Sequence, residues 1–258
     1  MNRGLPRTTT VESTVDSQLT LNHNEAHIWY VRPESVKDGK LLEAYNRLLT
    51  DDERIRMNRF IYPVDRHDYL VTRALIRATL SRYASIGPEQ WRFGANQLGR
   101  PMIIEPRDSR LSFNISHTSG LVACIVALRQ QIGIDVEYWR SIPDLLDLAE
   151  RYFSPTEVAA LRLSRDEDRL KRFLEYWTLK EAYAKARGLG LSVPLSQFSF
   201  EVDGETVQIF FGSGISDLPQ SWQFTLRWLR TRHVVAMALR SETAEKVTTS
   251  VWKTVPLS

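Results

Sequence analysis

Residues Asp166 to Leu191, DEDRLKRFLEYWTLKEAYAKARGLGL, contain the pattern of one long helix. Apolar residues recur at intervals of three and four, and Leu170 and Trp177 lie near the centre of the resulting stripe. At roughly 100° per residue, Glu181 lies about 20° from Leu170, so a carboxylate occupies the face that is predicted to be buried. Lys185 follows one turn later, near the edge of the same face.

The pairing of Glu181 with Lys185 has an ordinary and a functional interpretation. A glutamate followed by a lysine four residues later is a common stabilising pair on a solvated helix surface. Here the pair lies on the apolar side, where a charge without a partner costs free energy, so we interpret it as part of a site. Lys180 lies off the stripe, and we expect it at the exposed rim of that site. A solvated lysine near a helix end is an equally good interpretation of Lys180.

Two further carboxylates occur in the segment Gly133-Ile134-Asp135-Val136-Glu137, which is predicted to be a strand. Residues two apart on a strand point to the same face, so Asp135 and Glu137 repel each other unless a positive charge lies between them. Glu181 would add a third oxygen ligand. An all-oxygen set without a histidine or cysteine cluster selects a hard ion, Mg²⁺ before Zn²⁺. The alternative for the strand pair is a polar strand end on the surface.

The composition predicts a soluble globular protein. The chain has 258 residues, of which 43% are hydrophobic and 25% charged, and its formal net charge is +3. That charge allows an acidic or phosphorylated partner but is far from that of a dedicated nucleic-acid binder. Cys124 is the only cysteine, which favours a reducing compartment. We find no membrane span and no secretory signal, so we expect a cytoplasmic protein.

The chain contains an internal repeat. Residues 28–31, Ile-Trp-Tyr-Val, are echoed by residues 134–137, Ile-Asp-Val-Glu, at a separation of 106 positions (134 − 28). A long helix follows in each half, beginning near Asp65 and near Asp166, and later strand segments recur in the same order. In this alignment the three acidic residues have apolar counterparts, namely Trp29 for Asp135, Val31 for Glu137 and Ala74 for Glu181.

We therefore predict an α+β fold with two similar halves that are related by a pseudo-two-fold axis and carry one site. The predicted divisions are a flexible leader at residues 1–25, an N-terminal half at 26–130, a C-terminal half at 131–240 and a tail at 241–258. The join falls near Gln130-Gln131. The segment Ser154-Pro155-Thr156-Glu157 is predicted to be a helix-capping box without a chemical role.

The order of several motifs resembles that of the 4′-phosphopantetheinyl transferases, of the larger, surfactin-synthetase-activating (Sfp-like) type. These motifs are Gly99-Arg100-Pro101, Phe113-Asn114-Ile115-Ser116-His117, the strand from Gly133 to Glu137, and the helical run from Trp177 to Lys185. The resemblance covers about residues 26–240. It implies a duplicated fold with the active site between the halves, which agrees with the repeat.

The resemblance also implies a reaction. Such enzymes transfer the 4′-phosphopantetheine arm of coenzyme A to a serine of an apo acyl or peptidyl carrier protein, and they release adenosine 3′,5′-bisphosphate. By this resemblance Asp135, Glu137 and Glu181 would hold Mg²⁺ against the pyrophosphate. Glu181, or a water that it positions, would take the proton of the carrier serine. Lys185 would contact the transferring phosphate.

Further residues are expected to bind coenzyme A. Ser116, His117 and Arg100 would meet its 3′-phosphate and adenosine, although the family usually has lysine where this chain has Arg100. In the first half Arg56 aligns best with the family pattern, and Arg66 is an alternative. We expect a monomer whose partners are coenzyme A and carrier protein domains, with no nucleic acid and no membrane.

The same residues have three alternative interpretations. A Ser-His-Asp hydrolase built on Ser116, His117 and Asp135 lacks a Gly-x-Ser-x-Gly turn, and adjacent strand residues point apart. A Mg²⁺-dependent phosphohydrolase or nuclease could use the same carboxylates, but it needs neither Lys185 nor a duplicated half. A non-catalytic binding module for acidic proteins would be indifferent to metal and coenzyme A.

Overall fold

A computed structural model of the chain describes residues 18–128, 131–229, 232–241 and 246–258. The first 17 residues of the predicted leader, and Gln130 at the predicted join, lie outside this description. Within these ranges the chain forms two similar α+β halves, and none of the helices combines the length and apolar character that a bilayer span needs.

The first half contains a sheet in which β1, β5 and β4 lie side by side in that order, with antiparallel neighbours. Its elements are β1 (Glu25–Val31), α1 (Gly39–Leu48), α2 (Asp51–Asn58), α3 (Pro63–Ser81), β2 (Arg92–Ala95), β3 (Pro101–Glu105), β4 (Leu111–Thr118) and β5 (Leu121–Leu128). The long helix α3 packs on one face of this sheet and forms the first-half core with it.

The second half repeats this arrangement with β6, β10 and β9, again in that order and antiparallel. Its elements are β6 (Ile132–Tyr138), α4 (Leu145–Tyr152), α5 (Pro155–Leu163), α6 (Asp166–Arg187), β7 (Phe198–Asp203), β8 (Thr206–Phe211), β9 (Trp222–Leu229) and β10 (His233–Arg240). A final strand, β11 (Thr248–Lys253), follows. The shared strand order and the paired long helices α3 and α6 confirm the predicted duplicated α+β fold.

The two sheets pack against each other through a shared apolar core that includes Ile28, Ile125, Ile134 and Met237. Because side chains alternate along a strand, the residues between these point toward the helices. Ile134 therefore faces the other sheet, and Asp135 faces α6. This alternation places the predicted acidic strand pair beneath the long helix.

Strand β6 and helix α6 touch at Gly133. A Cβ atom at this position would overlap the carbonyl oxygen of Ala182 and the amide nitrogen of Ala186. Only glycine permits so close an approach of the two backbones, because any larger residue would push the helix away from the strand. The contact lies two residues before Asp135 on the strand and beside Lys185 on the helix, so it sets the distance between these two residues.

The structure corrects the predicted position of Lys180, which is completely buried and not at an exposed rim. Its Nζ pairs with Glu157 Oε2 at 2.8 Å and donates to the carbonyl oxygens of Leu195 and Phe198, each at 2.6 Å. Burial lowers the pKa of Lys180 to about 8, while Glu157 opposes that shift. The prediction failed because α6 is covered on more than one side, by the sheet and also by α4, α5 and the segment before β7. The predicted capping box of Glu157 is confirmed, with this ion pair in addition.

Substitution of Lys180 with methionine should lower the free energy of unfolding by about 3–5 kcal/mol, because Glu157 would remain buried without its partner. Urea denaturation of the Lys180→Met variant would measure the loss. Lys40→Met is the control, since Lys40 is an exposed lysine on α1. Equal stability of the two variants would contradict a structural role for the buried pair.

The ends of the described chain pack on the first half. Residues 18–25 belong to the predicted flexible leader, yet Leu21 is buried and its neighbour Leu19 donates a backbone hydrogen bond to Arg82 at 2.7 Å. In the predicted tail, β11 extends the first-half sheet by pairing in parallel with β1. The indole of Trp252 stacks on Trp29 with ring centroids 4.8 Å apart. The last segment thus crosses back from the second half to the first.

Loss of the Trp252 indole should destabilise this return strand. We expect Trp252→Ala to lower the free energy of unfolding by about 3 kcal/mol, the low end for aromatic deletions, because the side chain is partly exposed. Lys253→Ala, at the next and exposed position of the same strand, should change it by less than about 0.5 kcal/mol. Thermal and urea unfolding would compare the two. If Trp252→Ala is no more destabilising than Lys253→Ala, the strand does not stabilise the fold.

Candidate active site

A cleft of about 470 Å³ lies where the two halves meet. The first half contributes one residue of α3 and the end of β4. The second half contributes β6, Arg140 two residues after it, and α6. The lining residues are Thr72, Ile115, Ser116, His117, Thr118, Asp135, Val136, Glu137, Arg140 and Lys185. Five of the predicted site residues are therefore brought together, namely Ser116, His117, Asp135, Glu137 and Lys185. Glu181 is not among the lining residues, but it lies within the electrostatic influence of Asp135 and Lys185.

Lys185, Asp135 and Ser116 form a hydrogen-bonded triangle in this cleft. The Nζ of Lys185 donates to Asp135 Oδ1 at 2.6 Å and to Ser116 Oγ at 2.8 Å. The Ser116 hydroxyl donates to the same Oδ1 at 2.9 Å. Asp135 and Ser116 are buried, and Lys185 is partly exposed. The described contacts of Ser116 are thus to Asp135 and Lys185, which does not favour a serine nucleophile activated by His117.

The triangle depends on how β4 meets β6. The side-chain oxygen of Asn114 accepts a hydrogen bond from the Ile134 backbone at 2.9 Å and so joins the two strands across the halves. This bond lies two residues before Ser116 on one strand and one residue before Asp135 on the other. Both side chains are consequently held at the mouth of the same cleft.

Glu137 and Glu181 extend the negative charge around Asp135. Burial raises the pKa of both carboxyl groups, and the charge of Asp135 raises both further. Lys185 opposes the shift at each glutamate, and Arg140 opposes it at Glu137. Glu181 also raises the pKa of Glu137, so the three carboxylates act on one another. A bound cation would relieve this repulsion.

The chemistry of this acidic set fits a hard cation, while its present spacing is not that of a metal shell. Asp135 Oδ2 is buried and has no hydrogen-bond partner, so one carboxylate oxygen is available for a ligand. All three groups supply oxygen, which Mg²⁺ prefers. In the described part of the chain, however, no three His, Cys, Asp or Glu side chains stand close enough to hold a metal ion. Binding through all three carboxylates would require side-chain rotation.

The predicted basic contacts divide into two groups. His117 is exposed and lines the cleft. Arg100 does not line it. The guanidinium of Arg100 donates to the carbonyl oxygens of Ala186 at 2.8 Å and Ile132 at 2.9 Å, and so ties its turn to the end of α6 and the start of β6.

The predicted arginines of the first half also lie outside the lining. Arg56 and Arg66 are exposed on α2 and α3, and neither is among the residues that line the cleft. The Nε of Arg66 donates to the carbonyl oxygen of Phe60 at 2.8 Å. The described contacts of Arg66 are therefore local to the start of its helix.

Arg140 and Thr72 are among the lining residues that the sequence analysis does not assign to the site. Arg140 follows the acidic strand three residues after Glu137, and a basic residue so close to an acidic pair could have been noticed. Thr72 lies on α3 between more conspicuous arginines, and nothing in its local sequence marks it. Only the approach of α3 to the end of β4 brings Thr72 to the cleft.

Comparison with known proteins gives a consistent result for both halves. The family described as the 4′-phosphopantetheinyl transferase superfamily matches residues 131–238. The family described as 4′-phosphopantetheinyl transferase, N-terminal, matches residues 38–129. Neither match includes β1 or β11, the two strands that pair in parallel at the edge of the first-half sheet.

Individual relatives cover most of the chain. The 4′-phosphopantetheinyl transferase HetI of Nostoc sp. is 39% identical over 178 residues, which are 67% of this chain and 73% of that protein. The 4′-phosphopantetheinyl transferase Sfp of Bacillus subtilis is 32% identical over 180 residues, or 69% of this chain and 77% of that protein. A rat L-aminoadipate-semialdehyde dehydrogenase-phosphopantetheinyl transferase is 25% identical over 209 residues, 75% of this chain and 68% of that protein. Both halves are matched by family descriptions, and the Nostoc relative is 39% identical over 67% of this chain. The chain therefore belongs to the 4′-phosphopantetheinyl transferase superfamily.

Proposed function

We propose that this protein transfers the 4′-phosphopantetheine arm of coenzyme A to a serine of an apo acyl or peptidyl carrier protein. The products are the holo-carrier protein and adenosine 3′,5′-bisphosphate. The observation that supports this most directly is the cleft between the halves, in which Lys185, Asp135 and Ser116 meet beside Glu137. The positive charges of Lys185 and Arg140, and the exposed His117, suit a ligand with several phosphate groups.

Lys185 is the residue we assign to the transferring phosphate. Its ammonium is fixed by Asp135 and Ser116, while part of the side chain remains exposed in the cleft. An ammonium has three donors, and the two described bonds leave one for a phosphate oxygen. Because the lysine is already oriented, it can stabilise charge on the phosphoryl group without rearrangement at the moment of reaction.

Glu181 is the residue we assign to the proton of the carrier serine. Burial and the nearby charge of Asp135 raise the pKa of its carboxyl group, which makes the carboxylate a better proton acceptor than an exposed glutamate. The serine oxygen forms a bond to the phosphorus of the phosphopantetheine arm as the phosphoanhydride bond breaks. Glu181 accepts the serine proton directly or through a water molecule, and the bisphosphate leaves.

We further propose that Asp135, Glu137 and Glu181 hold Mg²⁺. When bound, the ion would neutralise charge on the pyrophosphate of coenzyme A. The mutual repulsion of the three carboxylates and the unpartnered Oδ2 of Asp135 support this assignment.

Ser116 and His117 are proposed to meet the adenosine and 3′-phosphate end of the ligand. Arg100 and Arg56 can contact coenzyme A only where it extends beyond the lined cleft. For Arg100 we therefore propose mainly a positioning role, because its guanidinium holds the ends of α6 and β6 together.

The proposed organisation follows from the same cleft. We propose a monomer in the cytoplasm, since one chain supplies both walls of the site and the single cysteine, Cys124, is buried and free. We also propose that residues 26–130 form the N-terminal half and residues 131–240 the C-terminal half.

Incubation of the enzyme with an apo-carrier protein, coenzyme A and Mg²⁺ should add the mass of one phosphopantetheine arm to the carrier, as measured by intact mass spectrometry. Glu181→Gln should lose most of this activity, because an amide cannot accept the serine proton. Glu167→Gln is the control, since Glu167 is exposed at the other end of the same helix.

The same assay separates the alternatives. Cleavage of coenzyme A without a change in carrier mass would indicate a phosphohydrolase and overturn the transferase proposal. Neither cleavage nor modification, with retained carrier binding, would indicate a non-catalytic binding module.

The metal assignment can be tested without activity. In the absence of divalent cations, Glu181→Gln should raise the melting temperature by a few degrees, because it removes one of the repelling charges. In a chain of this size, about 1 kcal/mol in the free energy of unfolding corresponds to a change of roughly 2–4 °C in melting temperature. Mg²⁺ should raise the melting temperature of the wild type and do so much less in the variant. Glu167→Gln should behave as the wild type in both measurements. An identical response of Glu181→Gln and wild type to Mg²⁺ would remove Glu181 from the metal shell.

A further inference from the structure

Thr72 is a polar residue of the cleft whose hydroxyl has no hydrogen-bond partner. It lies on α3 and is the residue through which that helix lines the cleft. Its Oγ1 is buried from solvent and makes no hydrogen bond. A buried hydroxyl without a partner is unfavourable, so an unpartnered one in a cleft wall needs an explanation.

The helix itself does not satisfy this hydroxyl. A helical threonine commonly bonds the carbonyl oxygen three or four residues earlier, and this option is the reason why it adopts two χ1 rotamers in helices. Thr72 makes no such bond. A change of rotamer therefore breaks no hydrogen bond and can turn Oγ1 toward the cleft, where a ligand could supply the missing partner.

The neighbouring groups indicate what kind of partner that is. Lys185 and His117 line the same cleft, and Arg140 lies at it as an exposed cation. One turn before Thr72 on α3, Asp68 lies within the electrostatic influence of His117, so this side of the helix faces the end of β4. A ligand drawn by these positive groups presents acceptor oxygens, and the threonine hydroxyl can donate to them.

We propose that the hydroxyl of Thr72 donates a hydrogen bond to a phosphate oxygen of the bound ligand and is the contribution of α3 to ligand binding. With coenzyme A as that ligand, the proposal rests on the proposed function. The hydroxyl is thus left unsatisfied in the free protein and becomes satisfied in the complex. Its loss should weaken binding without weakening the fold.

The chain offers a matched control on the same helix. Thr79 lies seven residues after Thr72, nearly on the same helix face, and its Oγ1 is likewise buried and unpartnered. It does not line the cleft. Valine has the shape of threonine without the hydroxyl, so Thr72→Val and Thr79→Val remove equivalent atoms at a cleft position and at a core position.

Both valine variants should have a melting temperature equal to or above that of the wild type without ligand. They should differ in titration calorimetry with coenzyme A, where Thr72→Val should raise Kd about 5- to 10-fold and Thr79→Val should leave it unchanged. Thr72→Ser, which restores the hydroxyl, should return Kd to within about twofold of the wild type. In turnover with a carrier protein, Thr72→Val should raise KM for coenzyme A more than it lowers kcat.

Dephospho-coenzyme A identifies which phosphate is contacted. If Thr72→Val weakens coenzyme A but not dephospho-coenzyme A, the contact is to the 3′-phosphate. If it weakens both equally, the contact is to the pyrophosphate. An unchanged Kd for both ligands in Thr72→Val overturns the proposal while leaving the proposed function intact. Failure of the wild type to bind either ligand overturns both.

Discussion

The contact between β6 and α6 at Gly133 is the constraint on which the site depends. A side chain there would overlap the backbone at Ala182 and Ala186, so the strand and the helix can touch only because the residue is glycine. The contact brings Asp135 on the strand within 2.6 Å of Lys185 on the helix. A charge pair this close, with Asp135 buried, requires a fixed distance between the two elements, because a small outward movement would leave a buried carboxylate without its partner.

Helix α6 is held from its other side by the Lys180–Glu157 pair. Lys180 is adjacent to Glu181 in sequence, and its ammonium is fixed by one carboxylate and two backbone carbonyl oxygens. Lys180 thus fastens the helix to the surrounding chain, while the next residue, Glu181, lies within the electrostatic influence of Asp135 and Lys185. Buried charge is costly, but a satisfied network of this kind defines a single rotation of the helix about its axis, and with it the direction of Glu181.

The sequence predicts correctly those features that depend on a local pattern of residues. Prediction from the sequence fails where several helices and strands pack together. The helix with Glu181 and Lys185 and the strand with Asp135 follow from periodicity, which depends on neighbouring residues alone. The burial of Lys180 does not, because a period describes one face of a helix and α6 is covered on more than one. The contacts of Arg100 could not be predicted from the sequence for the same reason. A motif identifies its charge, but only the fold brings its guanidinium to carbonyl oxygens at positions 132 and 186. Thr72 had no signal in the sequence.

The duplication also explains why there is one site in two similar halves. The first-half counterparts of the three carboxylates are buried together in the core between α3 and its sheet, namely Trp29, Val31 and Ala74. The indole of Trp29 occupies the position that a carboxylate occupies in the second half. The first half therefore buries more apolar surface at this position, but it has no carboxylates there to hold a cation. What remains for the first half is to form the opposite wall, with Ser116 and His117 from β4 and Thr72 from α3. The second half carries the acidic groups and the first half supplies hydrogen-bond donors, and the proposed phosphate-rich ligand would use both at the same cleft.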